Sequence, residues 1–227
     1  MGDFDMRVIT VGLVVIMAAW WLGTAIYKRV LANRFQKLIA QGEFDQLYEL
    51  LETKKVAMAF PEYNRTYLKL NAKIMEGDEK GARQILSDLL SRHLPKNMHE
   101  DIVLKAFGFY IDHQDGKRAK KMLAEIEQWD DKHAAAKTEC RRTYDIVIKK
   151  STAYIDGMEK ELTEASGMQR GQLLYLLSLQ YVNAGDQERA KRYRDQMVTT
   201  MTNVMANDPR FRNVVPDLDG NGTATKK

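Results

Sequence analysis

A short phrase built on a glycine beside an acid recurs along the chain. Its copies are Gly42-Glu43-Phe44-Asp45, Gly77-Asp78-Glu79-Lys80-Gly81-Ala82, Asp115-Gly116-Lys117-Arg118-Ala119 and Gly185-Asp186-Gln187-Glu188-Arg189-Ala190. Each copy follows an apolar run with helical spacing and opens another. The glycines step by 35 residues from Gly42 to Gly77, by 39 to Gly116 and by 69 to Gly185. The last step is close to two periods of about 34 with one degenerate copy between, and such a period is that of helix-turn-helix units stacked into a solenoid. The chemistry of the phrase suits a hairpin. Glycine ends one helix in a left-handed turn, the acid caps the next helix and meets the positive end of its dipole, and alanine lets the two helices cross closely.

Nothing in the rest of the chain asks for a sheet. Only four of the 227 residues are proline, helix-favouring residues abound, and no run of alternating β-branched residues occurs, so an all-α fold is expected. Between the third and last phrases, Tyr144, Val147, Ile148, Tyr154, Ile155, Met158 and Leu162 keep a three-to-four residue spacing across Gly157. Residues 127–170 therefore read either as the degenerate repeat or as one long helix pair with no such turn. Stripes such as Leu86, Leu89 and Leu90 read as core between neighbouring hairpins, because one repeat cannot bury its own apolar face.

Several stretches resemble the tetratricopeptide repeat family over roughly residues 30–205. Leu174, Leu177, Ser178, Tyr181, Gly185 and Ala190 follow its pattern of apolar, small, aromatic and turn positions, and Val103, Ala106, Tyr110, Ala119 and Leu123 form a second copy. Around Gly77 the turn, Ala82, Leu86 and the closing Pro95 agree, while Leu70 and Lys73 stand where a small and an aromatic residue are usual. The first copy has Phe35, Leu38, Leu47 and Leu51, closed by Pro61. The resemblance implies a concave face lined by first helices. Aligned on the repeat, that face would present Asn64, Tyr67, Asn71, Leu104, Ile111, Tyr175, Leu179 and Asn183 to an extended peptide or a partner helix. Tyr67 and Tyr175 are its strongest anchors if they are not simply packed. The lysine and asparagine clamp that holds C-terminal carboxylates in some members is not matched: Asn71 fits one position, but Tyr67 replaces a lysine.

The N-terminus has a different character. Val8 to Ile26 are nineteen consecutive residues without a charge, long enough at about 1.5 Å per residue to cross the ~30 Å core of a bilayer once. Trp20, Trp21 and Tyr27 mark an interface at the C-terminal end, followed by the charged stops Lys28 and Arg29. A cleaved signal peptide is the competing reading. It is disfavoured by the acidic Asp3 and Asp5 before the run, by the length of the run, and by two tryptophans before the small residues Gly23-Thr24-Ala25. Arg7 alone precedes the span, whereas Lys28, Arg29, Arg34 and Lys37 follow it, so the C-terminal domain is expected to face the cytoplasm with the N-terminus outside. The expected division is a short tail over 1–7, a membrane helix over 8–27, a basic juxtamembrane helix over 28–41, a helical-hairpin solenoid over 42–210 and a disordered tail over 211–227.

Signatures of catalysis are missing. His93, His99, His113 and His133 fall at different helix ends or connections, Cys140 has no partner at a metal-binding spacing, and no phosphate loop or nucleophile elbow occurs. Asp217-Leu218-Asp219-Gly220-Asn221-Gly222 matches the first half of a calcium loop, yet the position of its bidentate glutamate falls one residue past Lys227. The net charge of +4 is interspersed with acids rather than gathered into a stripe, which argues against nucleic acid. The sequence thus points to a membrane-anchored, non-catalytic scaffold or adaptor that binds a protein or peptide partner and touches lipid through residues 8–27, with no cofactor and no metal. A structural accessory subunit of a membrane machine, such as a translocation or secretion complex, is the alternative.

Overall fold

In the computed structural model, residues 27–207 are described, and among them the chain is helical with no strand. The helices are α1 over 27–41, α2 Phe44–Glu52, α3 Lys54–Ala59, α4 Glu62–Glu76, α5 Glu79–Ser91, α6 Lys96–Asp112, α7 Gly116–Ile126, α8 Ala134–Val147, α9 Ile155–Glu164, α10 Gly167–Asn183 and α11 Gln187–Asn207, with a 3-10 turn at Asp131–His133 before α8. None of these is long and apolar enough to cross a membrane. The membrane helix expected over 8–27 lies outside the described residues except at Tyr27, as does the C-terminal tail from residue 208. The chain divides into two compact units at Ser91 and Arg92.

In the first unit, Leu31, Phe35 and Leu38 of α1 recur at helical spacing and pack with Leu47, Leu51, Val56 and Ala72, all buried. The second helix of this hairpin is broken at Thr53, whose extended backbone ends α2 and whose hydroxyl accepts the Val56 N–H at 3.4 Å to start α3. Pro61 and Pro95 precede the first residues of α4 and α6, where a missing N–H costs nothing. Leu86 and Leu89 are fully buried on α5, and Leu90 is half-buried beside them.

Four turns share one geometry. Gly42, Gly77, Gln114 and Gly185 have left-handed backbones, with φ of 70°, 79°, 52° and 80°. In each, the next residue donates its N–H to the carbonyl five back: Glu43 to Leu38 at 2.9 Å, Asp78 to Lys73 at 2.9 Å, Asp115 to Tyr110 at 2.8 Å and Asp186 to Tyr181 at 2.9 Å. This is the Schellman closure, which satisfies carbonyls that a helix end otherwise leaves unpaired. The acid then caps the following helix. The carboxylates of Asp78, Asp115 and Asp186 accept the N–H groups of Gly81, Arg118 and Arg189 at 2.9, 3.1 and 2.9 Å. Those of Asp78 and Asp186 titrate below the usual aspartate range, first because of that N–H bond and then because of the cations of Lys73 and Arg189. Ala82, Ala119 and Ala190 are buried at the helix crossings.

One expectation is corrected here. Gly116 is not the left-handed residue of its turn; Gln114 is, and Gly116 opens α7, where an added Cβ would sit 2.8 Å from Cγ2 of Ile148. The glycine is needed for close approach of the α8–α9 connection rather than for backbone freedom.

In the second unit, α6–α7 and α10–α11 pack as hairpins, and residues 127–170 hold a helix pair, α8 and α9, whose connection lacks the glycine–acid turn of the others. Its break falls at 148–154, with Lys150 left-handed at φ 59° in place of a glycine, and Gly157 lies within α9. Side chains from α10 hold this irregular connection. Asn183 Nδ2 donates to the carbonyls of Ile146 at 3.0 Å and Ser151 at 3.4 Å, and buried Gln180 accepts the Tyr154 N–H at 3.0 Å through Oε1. Arg142, also buried, ties α8 to α9 by donating to both Glu161 oxygens at 3.0 and 2.9 Å and to Glu139 at 2.5 Å. A second clamp joins α9 to α10 and α11. One oxygen of Glu159 accepts the hydroxyls of Tyr181 at 2.7 Å and Tyr193 at 2.6 Å, whose rings stack at 5.4 Å.

Candidate functional site

The expected concave-face residues are divided between the units. In the first, all three stand on α4: Asn64 is exposed, Tyr67 is half-buried with its ring 6.0 Å from that of Tyr63, and Asn71 has a buried Oδ1 with no hydrogen-bond partner among the described residues. In the second, Ile111, Tyr175, Leu179 and Asn183 come together around one cleft, while Leu104, half-buried on α6, lies outside it. Four of the eight expected residues thus meet toward the C-terminal ends of α6 and α10, with Ile146 and Val147 of α8 completing the apolar lining.

Sequence reasoning missed the polar rim. Asp112, Gln114 and Lys150 also line the cleft, and Gln114 and Lys150 are the two non-glycine residues with positive φ among the described residues. Such backbones are unfavourable by about 1 kcal/mol or more each and gather at functional sites, where surrounding contacts hold them. Gln114 had a signal, since it occupies the place directly before the capping acid, as Gly77 and Gly185 do before Asp78 and Asp186. Lys150 had none, because no capping acid follows it.

The rim side chains are open for contact. Those of Asp112, Gln114, Lys150 and Tyr175 make no hydrogen bond or ion pair among the described residues, whereas Asn183 is occupied in bracing the cleft wall. Loss of water around the Asp112 carboxyl raises its pKa, against the opposing pull of His113 and Lys105. Burial likewise raises the Tyr175 hydroxyl, helped by the negative charge of Asp112. A desolvated acid, an unpaired ammonium and a half-exposed ring surround a floor of Ile111, Ile146, Val147 and Leu179. The cleft encloses about 90 Å³. That is well under the ~300–1,000 Å³ of small-molecule sites and suits a single inserted side chain.

Tyr175 also forms the wall of a second hollow. Met168, Gln169, Gly171, Gln172, Met197 and Met201 line this wider groove, which is uncharged and encloses about 430 Å³. Among the described residues no group of three His, Cys, Asp or Glu side chains is placed to hold a metal ion. Cys140 is buried, and that burial pushes its thiol up to about 11, with Glu139 adding to the shift, so it is a weak nucleophile at neutral pH. Comparisons with protein-family models, curated proteins and solved structures found no match.

Proposed function

We propose that the chain is a membrane-anchored scaffold or adaptor of tetratricopeptide-like helical hairpins, non-catalytic and free of cofactors, whose second unit receives a side chain of a protein partner in the cleft beside Tyr175. One observation carries this reading: four of the five expected face residues of that unit meet at a single cleft whose remaining polar side chains have no partner among the described residues. The size of the cleft and its half-exposed tyrosine suit the anchor-in-pocket contacts that dominate interface energies. Tethering through residues 8–27 would raise the effective concentration of the module for other membrane components, so moderate affinity suffices.

The test is retention of co-purifying protein by the full-length chain. Tyr175→Ala is expected to reduce retention of an exchangeable partner by about tenfold or more, in line with the ~2 kcal/mol of an aromatic anchor. Undiminished retention by both Tyr175→Ala and Lys150→Ala would sink the proposal. A stoichiometric, non-exchanging complex that ignores both changes would instead identify the accessory-subunit alternative.

Orientation is tested separately by placing a cysteine at Thr225 in a Cys140→Ser background and labelling with a membrane-impermeant maleimide. Reaction only after permeabilisation is the expected outcome of a cytoplasmic C-terminal domain, and reaction in intact cells would reverse the proposed topology.

A further inference from the structure

The groove beyond Tyr175 carries information that the cleft does not. Its walls come from Met168, Gln172 and Tyr175 on α10 and from Met197 and Met201 on α11, and Gly171 forms its floor. A Cβ at Gly171 would stand 2.4 Å from Sδ of Met201, so the glycine lets the Met201 thioether pack closely against α10 at the base of the groove. Met168 is 62 % exposed, and Val198, 54 % exposed, continues the apolar surface along α11.

Charge is segregated along the same helix. The first half of α11 holds Arg189, Lys191, Arg192 and Arg194 against Glu188 and Asp195, while residues 196–207 carry no charge. Lys191, Arg194, Val198 and Met201 lie at three- and four-residue steps and so share one stripe. Lys191 and Arg194 are exposed and pair with no acid among the described residues. The stripe of α11 that runs past the groove is therefore apolar at Val198 and Met201 and basic at Lys191 and Arg194, about one to three turns nearer the N-terminus of the helix.

We infer that this groove receives an amphipathic helix of a protein partner, with its apolar anchors among Met168, Met197 and Met201 and its acidic residues against Lys191 and Arg194. Thioether side chains are flexible and polarisable, which lets such a groove adapt to anchors of differing shape. A planar lipid surface cannot fill a hollow floored by Gly171, and a two-fold contact between copies would set concavity on concavity and leave both unfilled. The inference rests on the interaction reading above, and the groove shares only Tyr175 with the cleft.

The experiment uses the full-length chain in nanodiscs of zwitterionic lipid and two labelled peptides with the same helical leucine spacing, one flanked by glutamates and the other by lysines. The acidic peptide is expected to bind about tenfold or more tightly than the basic one and to weaken as salt is raised. Met201→Glu and Arg194→Glu should each weaken it by about tenfold, while Lys120→Glu, at an exposed position of α7, leaves it unchanged. Because Arg194 is exposed, its variant keeps the test decisive even if Met201→Glu disturbs packing. Equal binding of the two peptides, indifference to Arg194→Glu, self-association that Met201→Glu abolishes, or capture of anionic-lipid vesicles in place of peptide would each overturn the inference. Retention of the natural partner by Met201→Glu together with its loss in Tyr175→Ala would remove the groove and leave the cleft standing.

Discussion

Truncating Leu177 to alanine is expected to lower the unfolding free energy by about 3 kcal/mol, within the 2–5 kcal/mol range of fully buried leucines. Leu177 is fully buried on α10 in a cluster with Ile146, Met158, Leu162, Leu173, Leu174, Leu176, Tyr181, Ala190 and Tyr193. The cost has two parts, lost burial of the removed methylenes and the cavity they leave. The second part stays large because the surrounding helices have little freedom to close in: Arg142 fixes α8 to α9, and Glu159 fixes α9 to the tyrosines of α10 and α11. Urea unfolding followed by circular dichroism measures the loss. Val198→Ala on the exposed side of α11 serves as the comparison and should stay within about 0.5 kcal/mol. A Leu177→Ala loss below about 1 kcal/mol would show that the cluster collapses freely and that the two clamps do not stiffen it.

Gln180→Leu is expected to cost about 2 kcal/mol by a different route. The replacement keeps the volume roughly constant and adds apolar surface at a buried position, so packing alone predicts little change. Gln180 Oε1, however, is the acceptor for the Tyr154 N–H, and its Nε2 donates to Sδ of Met158 at 3.2 Å. Leucine removes the acceptor and leaves a backbone donor unpaired at the entrance to α9, which is unfavourable by about 1–3 kcal/mol. Hydrogen exchange should localise the effect, with faster exchange at Tyr154 to Met158 than in α6 or α7. Uniformly faster exchange across the second unit would point to a packing defect instead.

The legible and illegible parts of this fold differ for physical reasons. Three of the four like turns could be read from the sequence because a left-handed residue was glycine and an acid stood beside it, both local requirements. The third turn was placed two residues late, at Gly116, because glycine there serves close packing against Ile148, and composition does not distinguish the two uses. The α8–α9 connection was left open between two readings because it depends on Gln180 and Asn183, donated from another hairpin. Tyr175, Leu179 and Asn183 were legible as one stripe of α10 because they stand at four-residue steps, and all three line the cleft. Their companions Asp112, Gln114 and Lys150 come from two other connections and could not be joined to them without the fold. The methionine groove was hidden further still. Met168 and Met201 begin and nearly end an antiparallel pair, and α10 is apolar over most of its circumference, so no single stripe announced it.

Each of the four like hairpin turns is set by one left-handed residue and the backbone hydrogen bond that follows it, reinforced in three cases by a capping aspartate. Such an instruction occupies few positions. The remaining residues of a hairpin are then free to drift, provided that apolar stripes stay apolar, without moving the helices out of phase. Glutamine at one turn shows that even the glycine is negotiable when the neighbouring acid remains. The copies are kept in step by shared backbone geometry rather than by likeness to one another, and a lineage built this way can lose its internal resemblance long before it loses its shape.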